Sequence, residues 1–203
     1  MKQLLALGPA VGQAAVNRLP GSPWFLQRNI LVLLGKLGTW PAGFSPAEYA
    51  ANPEVRIRRE AVKLMLESSL HRNDGIIRGL ADPDETIVGL ALAAAVDGCP
   101  PEGSASVRRI AGDPKRPSEF RVLAVRIMGR SRTTESLQML RDLALHRRRW
   151  LGRRLAPKSP ELLATLSALA TGWPDDAGAA DVLQRASEHA DADIRAAARP
   201  PVA

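Results

Sequence analysis

Residues Asn52 to Ser68 read NPEVRIRREAVKLMLES. The apolar positions Ile57, Ala61, Leu64 and Met65 recur at helical spacing, which predicts a helix with one buried face and one charged face. A polar residue ahead of a proline marks its start. Asn52 supplies an N-cap oxygen, and Pro53 at the first helical position forfeits no useful backbone donor. The same design recurs thirty residues upstream in SPWFLQRNILVLLGKLG from Ser22, and thirty downstream in DPDETIVGLALAAAVDG from Asp82. Phe25, Leu26, Ile30, Leu33, Leu34 and Leu37 form the stripe of the first, and Ile87, Leu90, Ala91 and Ala94 that of the third.

Looser copies begin at Pro117, PSEFRVLAVRIMGRSR, and at Ser159, SPELLATLSALATG; DADIRAAARPP, from Asp191, starts a last helix. Between these starts lie second helices, NDGIIRGLA, ASVRRIAG, SLQMLRDLALH and AADVLQRASEHA. Each unit is thus a helix pair, and a pair of this size buries its apolar face only by stacking on its neighbours. Residues Thr39 to Ala51, TWPAGFSPAEYAA, interrupt the pattern with proline, glycine and three aromatics. Their rings are expected to pack on the adjacent repeat, with Trp40 and Tyr49 as candidate partner contacts.

The Asn/Asp-Pro helix starts, the VRIRREAVKLM pattern after Pro53, and an arginine five positions after proline at Arg28 and Arg58 resemble the short bacterial type of HEAT repeat. The resemblance implies an all-α, right-handed alpha-alpha superhelix, a HEAT/ARM-like solenoid of about five to six helix pairs. It implies a single repeat domain over 1–203, with an incomplete first repeat at 1–20 and an extended inter-repeat connection near 147–159. It also implies a structural ladder in which Asn52 and Asp82 meet Arg28 and Arg58. The third repeat departs from the pattern at Val88, where the arginine is missing. An N-terminal LLALG shaped like the last turn of a missing helix points to an apolar end suited to self-association.

Charge is unevenly spread. Net charge is +7, but residues 105–154 hold 14 Lys/Arg against 4 Asp/Glu, whereas residues 173–203 hold 3 against 6. The densest stretch is LHRRRWLGRRL, Leu145 to Leu155. If residues 137–155 were one helix, Arg147 and Arg154 would fall within its apolar arc, and burying unpaired guanidinium groups costs too much. The helix is therefore expected to end near His146, with Arg147, Arg148 and Arg149 satisfying its last carbonyls. Trp150, Leu151 and Leu155 would then turn into the core. The competing expectation is a basic binding patch of Arg108, Arg109, Arg116, Arg147, Arg148, Arg149, Arg153 and Arg154, with Trp150 as an aromatic contact.

Catalytic signals are thin. One cysteine, Cys99, excludes an intramolecular disulfide and fits a reducing compartment. His71, His146 and His189 are far apart in sequence, and no spacing suggests a metal site or cofactor. Gly8-Pro9 breaks the N-terminal apolar run, and no other run approaches the ~20 residues of a membrane-spanning helix, so a cytoplasmic protein is expected. The expected function is a non-enzymatic scaffold or adaptor for protein partners whose identity is open. The alternative is nucleic-acid binding through the basic 105–154 surface. Some proteins of the HEAT-like architecture are alkylpurine DNA glycosylases and others bilin lyases; for the former, Asp142 with Trp150 is the single candidate pair.

Overall fold

The computed structural model describes residues 8–148 and 152–199, with the side chains of residues 9, 146–148, 152 and 153 left aside. Apart from one short ribbon, the regular structure among these residues is helical. The chain divides into two compact units, residues 1–91 and 92–203.

The first unit holds α1 (Pro9–Val16), α2 (Trp24–Leu37), α3 (Val55–Glu67), α4 (Arg72–Ala81) and most of α5 (Glu85–Ala95), within which the boundary falls. Leu34, Ile57, Ala61, Met65 and Ile87 of the sequence stripes are fully buried, with Leu31 beside them, so the stripes supply much of the core, while Phe25 is exposed. Helix α2 stops at Gly38, whose φ of 68° is a left-handed cap open to glycine. Helix α4 crosses close to α5 because Gly79 has no side chain: a Cβ there would stand 2.7 Å from the Ala91 Cβ.

Helix starts at the Asn/Asp-Pro sites differ from the expectation. Pro53 precedes α3 by two residues, and the Asn52 side chain does not cap the helix. Its Oδ1 accepts the Glu54 N–H at 2.9 Å, and Glu54 is the N-cap, accepting from Arg56 N. At Asp82 the pattern repeats: its Oδ1 accepts from Asp84 N at 2.8 Å, and Asp84 accepts from Ile87 N at 3.1 Å. The side-chain oxygen closes a turn around the proline, moving the cap two residues on. Asp113 makes the same turn, accepting from Lys115 N at 2.9 Å, whereas Asp191, with no proline after it, is itself the N-cap of the last helix, accepting from Asp193 N and Ile194 N. Asp113-Pro114 is thus a recurrence that the reading from Pro117 passed over.

The second unit holds the rest of α5, then α6 (Ser104–Gly112), α7 (Ser118–Ser131), α8 (Thr134–Ala144), β1 (Leu145–Arg148), β2 (Gly152–Leu155), α9 (Pro160–Gly172), α10 (Ala177–Ser187) and α11 (Ala192–Ala197). Val125, Met128, Leu140, Leu166, Leu169 and Val182 are buried at its centre. Helices α7 and α9 make intimate contact, since a Cβ on Gly129 would lie 2.8 Å from the Ala168 Cβ. Here the expected proline start holds: Pro160 opens α9 and Ser159 caps it, its Oγ accepting from Leu162 N at 3.1 Å.

The arginine-rich stretch is the largest departure. Helix α8 ends at Ala144, and the chain then forms an antiparallel β-ribbon. The carbonyl of Ala144 accepts the Ala156 N–H at 2.9 Å, so the strand that returns from the turn caps the helix. The helix thus ends two residues before the expected His146, the connection to α9 is made by the ribbon and residues 156–159, and the expected arginine C-cap at 147–149 falls on side chains outside the described ones. A returning strand meets the carbonyl with an aligned backbone donor and immobilises no long side chain. Arg149, Trp150 and Leu151 lie outside the described residues, and so does the expected entry of Trp150 and Leu151 into the core.

Candidate functional site

The ribbon pairs Leu145 with Leu155, His146 with Arg154, Arg147 with Arg153 and Arg148 with Gly152. Opposite positions of an antiparallel pair share a face, so positions 147 and 153 lie on one face and 146 and 154 on the other. The half-buried leucines lie at the base of the ribbon, which packs on α8 and α10. Four residues per strand give a platform about 13 Å long, with two arginine positions on each face. Like charges directly opposite destabilise a strand pair, and a lone two-stranded ribbon is marginal in water. Arg154 is exposed.

The other basic residues read from sequence stand elsewhere in the second unit. Arg108 and Arg109 are on the outward side of α6, half-buried and exposed respectively. Arg116, in the turn before α7, lies 3.9 Å from Asp113 and is part of the repeat turn. Lys158, just past the ribbon, bonds Asp191 at 2.8 Å and Asp193 at 2.6 Å, tying the outgoing strand to the start of α11. The hydrogen bond from Lys158 holds the Asp191 carboxyl below its usual range, and the same bonds hold the lysine above its own.

In the first unit the ladder is half formed. Arg58 Nε and Nη2 bond the Asp82 carboxylate at 2.9 and 3.1 Å, and Nη1 reaches the carbonyls of Asn52 and Pro53. The hydrogen-bonded carboxylate outweighs burial and holds the guanidinium still further above neutrality. The expected Arg28–Asn52 rung is not made: Asn52 is used in its own turn, and Arg28 donates to Asn29 Oδ1 at 3.1 Å. A second rung that the sequence did not announce joins Arg121 on α7 to Glu161 on α9 at 2.6 Å. Burial pushes the Glu161 carboxyl up, but bonds from Ser118 and Ser159 and the Arg121 charge carry it below the ordinary range.

Trp40 and Tyr49 take structural positions. Trp40 meets Phe44 edge-on at 5.8 Å and stacks with His71 at 5.9 Å, while Phe44 stacks with Tyr49 at 6.1 Å. The cluster closes one side of the first core, and burial together with Glu48 raises the Tyr49 phenol above its usual pKa.

Two features were missed. The sequence stripe includes Phe25 and leaves out Trp24, and the two are 53% and 41% exposed. The start of α2 has no preceding helix turn to cover them, and Arg56 of α3 lies over the Trp24 ring at 4.5 Å. The second feature is an apolar groove of about 590 Å³ between α7 and α9, lined by Val122, Leu163, Ala164 and Ala168 with Arg126 and Arg130 at its rim.

Asp142 is exposed on α8, and its suggested partner Trp150 lies outside the described residues. Among the described residues no group of three or more His, Cys, Asp and Glu could hold a metal ion. His189 accepts the Asp191 N–H at 3.0 Å, and burial pushes the Cys99 thiol up. No described helix is long and apolar enough to cross a membrane. No family model matches this chain and no curated protein matches it, so its residues and their geometry are what any assignment rests on.

Proposed function

We propose that this chain is a non-catalytic HEAT-like repeat module that binds nucleic acid, gripping the phosphate backbone with the arginine ribbon. The observation that carries the reading is the ribbon register, which sets Arg147 against Arg153 and His146 against Arg154. Such a platform matches a polyanion with regularly spaced charges, and a two-stranded ribbon has the width of a duplex major groove. The right-handed superhelix belongs to the same proposal. It is supported by the recurring Asx-Pro turns at Asn52, Asp82 and Asp113 and by the cross-helix rungs Arg58–Asp82 and Arg121–Glu161.

The test is a titration of a DNA duplex and a single-stranded RNA by fluorescence anisotropy, with polyglutamate as an anionic control. The wild type should bind nucleic acid more tightly than polyglutamate. The variant Arg147→Ser/Arg148→Ser/Arg153→Ser/Arg154→Ser should lose most of that affinity, and Arg108→Ser/Arg109→Ser should lose little. Equal losses in the two variants would refute a ribbon-specific grip.

A scaffold for protein partners is the second reading. What favours it is the apolar groove between α7 and α9, an apolar surface of the kind on which a partner helix lays its apolar face. Undiminished binding of a protein partner by the ribbon variant, with no nucleic-acid affinity in the wild type, would establish that reading instead.

A further inference from the structure

The pocket beside Trp24 carries chemistry that neither the repeat nor the ribbon uses. It is about 350 Å³ in volume and is lined by Trp24, Arg28, Arg56, Arg59 and Glu60, all in the first unit. That volume is near the lower end of the ~300–1,000 Å³ of small-ligand sites, room for one nucleotide-sized group.

Three guanidinium groups face this space, and their needs are not met within the protein. Arg28 has no acidic partner among the described residues; its bond is to the neutral amide of Asn29. Arg56 stands 3.8 Å from Glu54 and is 57% exposed. Arg59 makes a 3.4 Å contact to Asp84 through Nη2, while its Nε is buried with no acceptor. A desolvated donor without an acceptor is costly, so an oxygen-rich ligand at this point is favoured. The one carboxylate lining the pocket, Glu60, is already engaged by Lys63 at 3.1 Å.

Forked arginine donors match the oxygens of phosphate. The aromatic side of the pocket asks for more than an inorganic anion. Trp24 presents a half-exposed indole, Arg56 lies 4.5 Å from its centroid, and Phe25 meets it edge-on at 6.0 Å. A flat aromatic ring stacks on the exposed indole or on the guanidinium plane, as bases do on such side chains.

We infer that the Trp24–Arg28–Arg56–Arg59 pocket binds a phosphorylated nucleoside, with the base stacked at Trp24 and Arg56 and the phosphate held by Arg28 and Arg59. The ligand is either a free nucleotide or one unpaired nucleotide of a strand. The inference goes beyond the ribbon reading and stands without it, because the pocket and the ribbon are in different units.

The test uses the full chain and follows the four tryptophan indole N–H signals by NMR, with Trp24 assigned from Trp24→Phe. Probes are AMP, adenosine, inorganic phosphate, phosphotyrosine and a short oligoadenylate. AMP should shift the Trp24 signal and bind more tightly than adenosine, phosphate or phosphotyrosine. Arg28→Gln, which breaks no ion pair, should weaken AMP by roughly ten- to a hundredfold, the worth of a charge-assisted contact. Tighter binding of oligoadenylate than AMP assigns the pocket to a strand, and equal binding assigns it to the free nucleotide. The ribbon variant should retain full AMP affinity, which separates failure here from failure of the ribbon. The inference is overturned if AMP leaves Trp24 unmoved, if Arg28→Gln has no effect, or if phosphate alone or phosphotyrosine binds as tightly as AMP.

Discussion

Replacing Arg58 by methionine removes the charged end of the rung while its carbons continue to fill the space along α3. Arg58 and Asp82 side chains are 14% and 7% exposed, and two hydrogen bonds of 2.9 and 3.1 Å join them. The change leaves the Asp82 carboxylate buried with its fork partner gone, which costs about 3–5 kcal/mol in comparable buried pairs. Asp82→Asn alone should cost less, because the amide oxygen still accepts the Asp84 N–H that closes the turn. The double variant should recover part of the loss, giving a coupling of about 2 kcal/mol within the ~0.5–3 range for contacting residues. Since the chain holds two compact units, one unfolding midpoint is not a safe readout. Native-state hydrogen exchange at the α3 and α4 amides reports the first unit directly. A loss under about 1 kcal/mol for Arg58→Met, or strict additivity in the double variant, would refute the view of this rung as a buried, mutually dependent pair.

Other outcomes follow from single sites. Gly79→Ala should destabilise the first unit by about 1–3 kcal/mol through overpacking, and Ala91→Gly in the same chain should restore much of it, measured by the same exchange experiment. Tyr49 is the sole tyrosine, so absorbance near the phenolate band titrates it alone. Its pKa is raised, so ionisation should begin at higher pH than in urea-unfolded chain. The corresponding stability is fully present below the unfolded pKa and is lost as pH rises through the folded one. A folded-state titration that overlays the unfolded one would contradict its packing behind Phe44.

The helices were legible because much of each apolar stripe is what the structure buries, from Ile30 and Leu34 through Ile57 and Met65 to Ile87 and Ala91. The Arg58–Asp82 rung was legible through the resemblance to HEAT repeats, which implies that an arginine after one proline meets the Asp of the next turn. Helix starts were misplaced by two residues because an Asx turn and an N-cap use the same residue types, and only the backbone path distinguishes them. The ribbon was missed for a related reason. Leucine and arginine are good helix formers, so local preference continued α8 past Ala144, whereas the pairing of residues 145–148 with 152–155 is decided by a strand yet to come. The stripe places Phe25 in the core, yet it is 53% exposed, because periodicity carries no information on whether a neighbouring element covers a position.

The most direct test of the ribbon as a nucleic-acid grip is the salt dependence of duplex binding, compared between wild type and the four-arginine ribbon variant. Each phosphate neutralised on a duplex contributes about −0.9 to the slope of log K against log salt concentration. If the two arginines on one face of the ribbon contact phosphates, the variant's slope should be shallower by roughly 2. Parallel slopes for the two proteins would show that the ribbon does not touch the backbone, and would contradict the account.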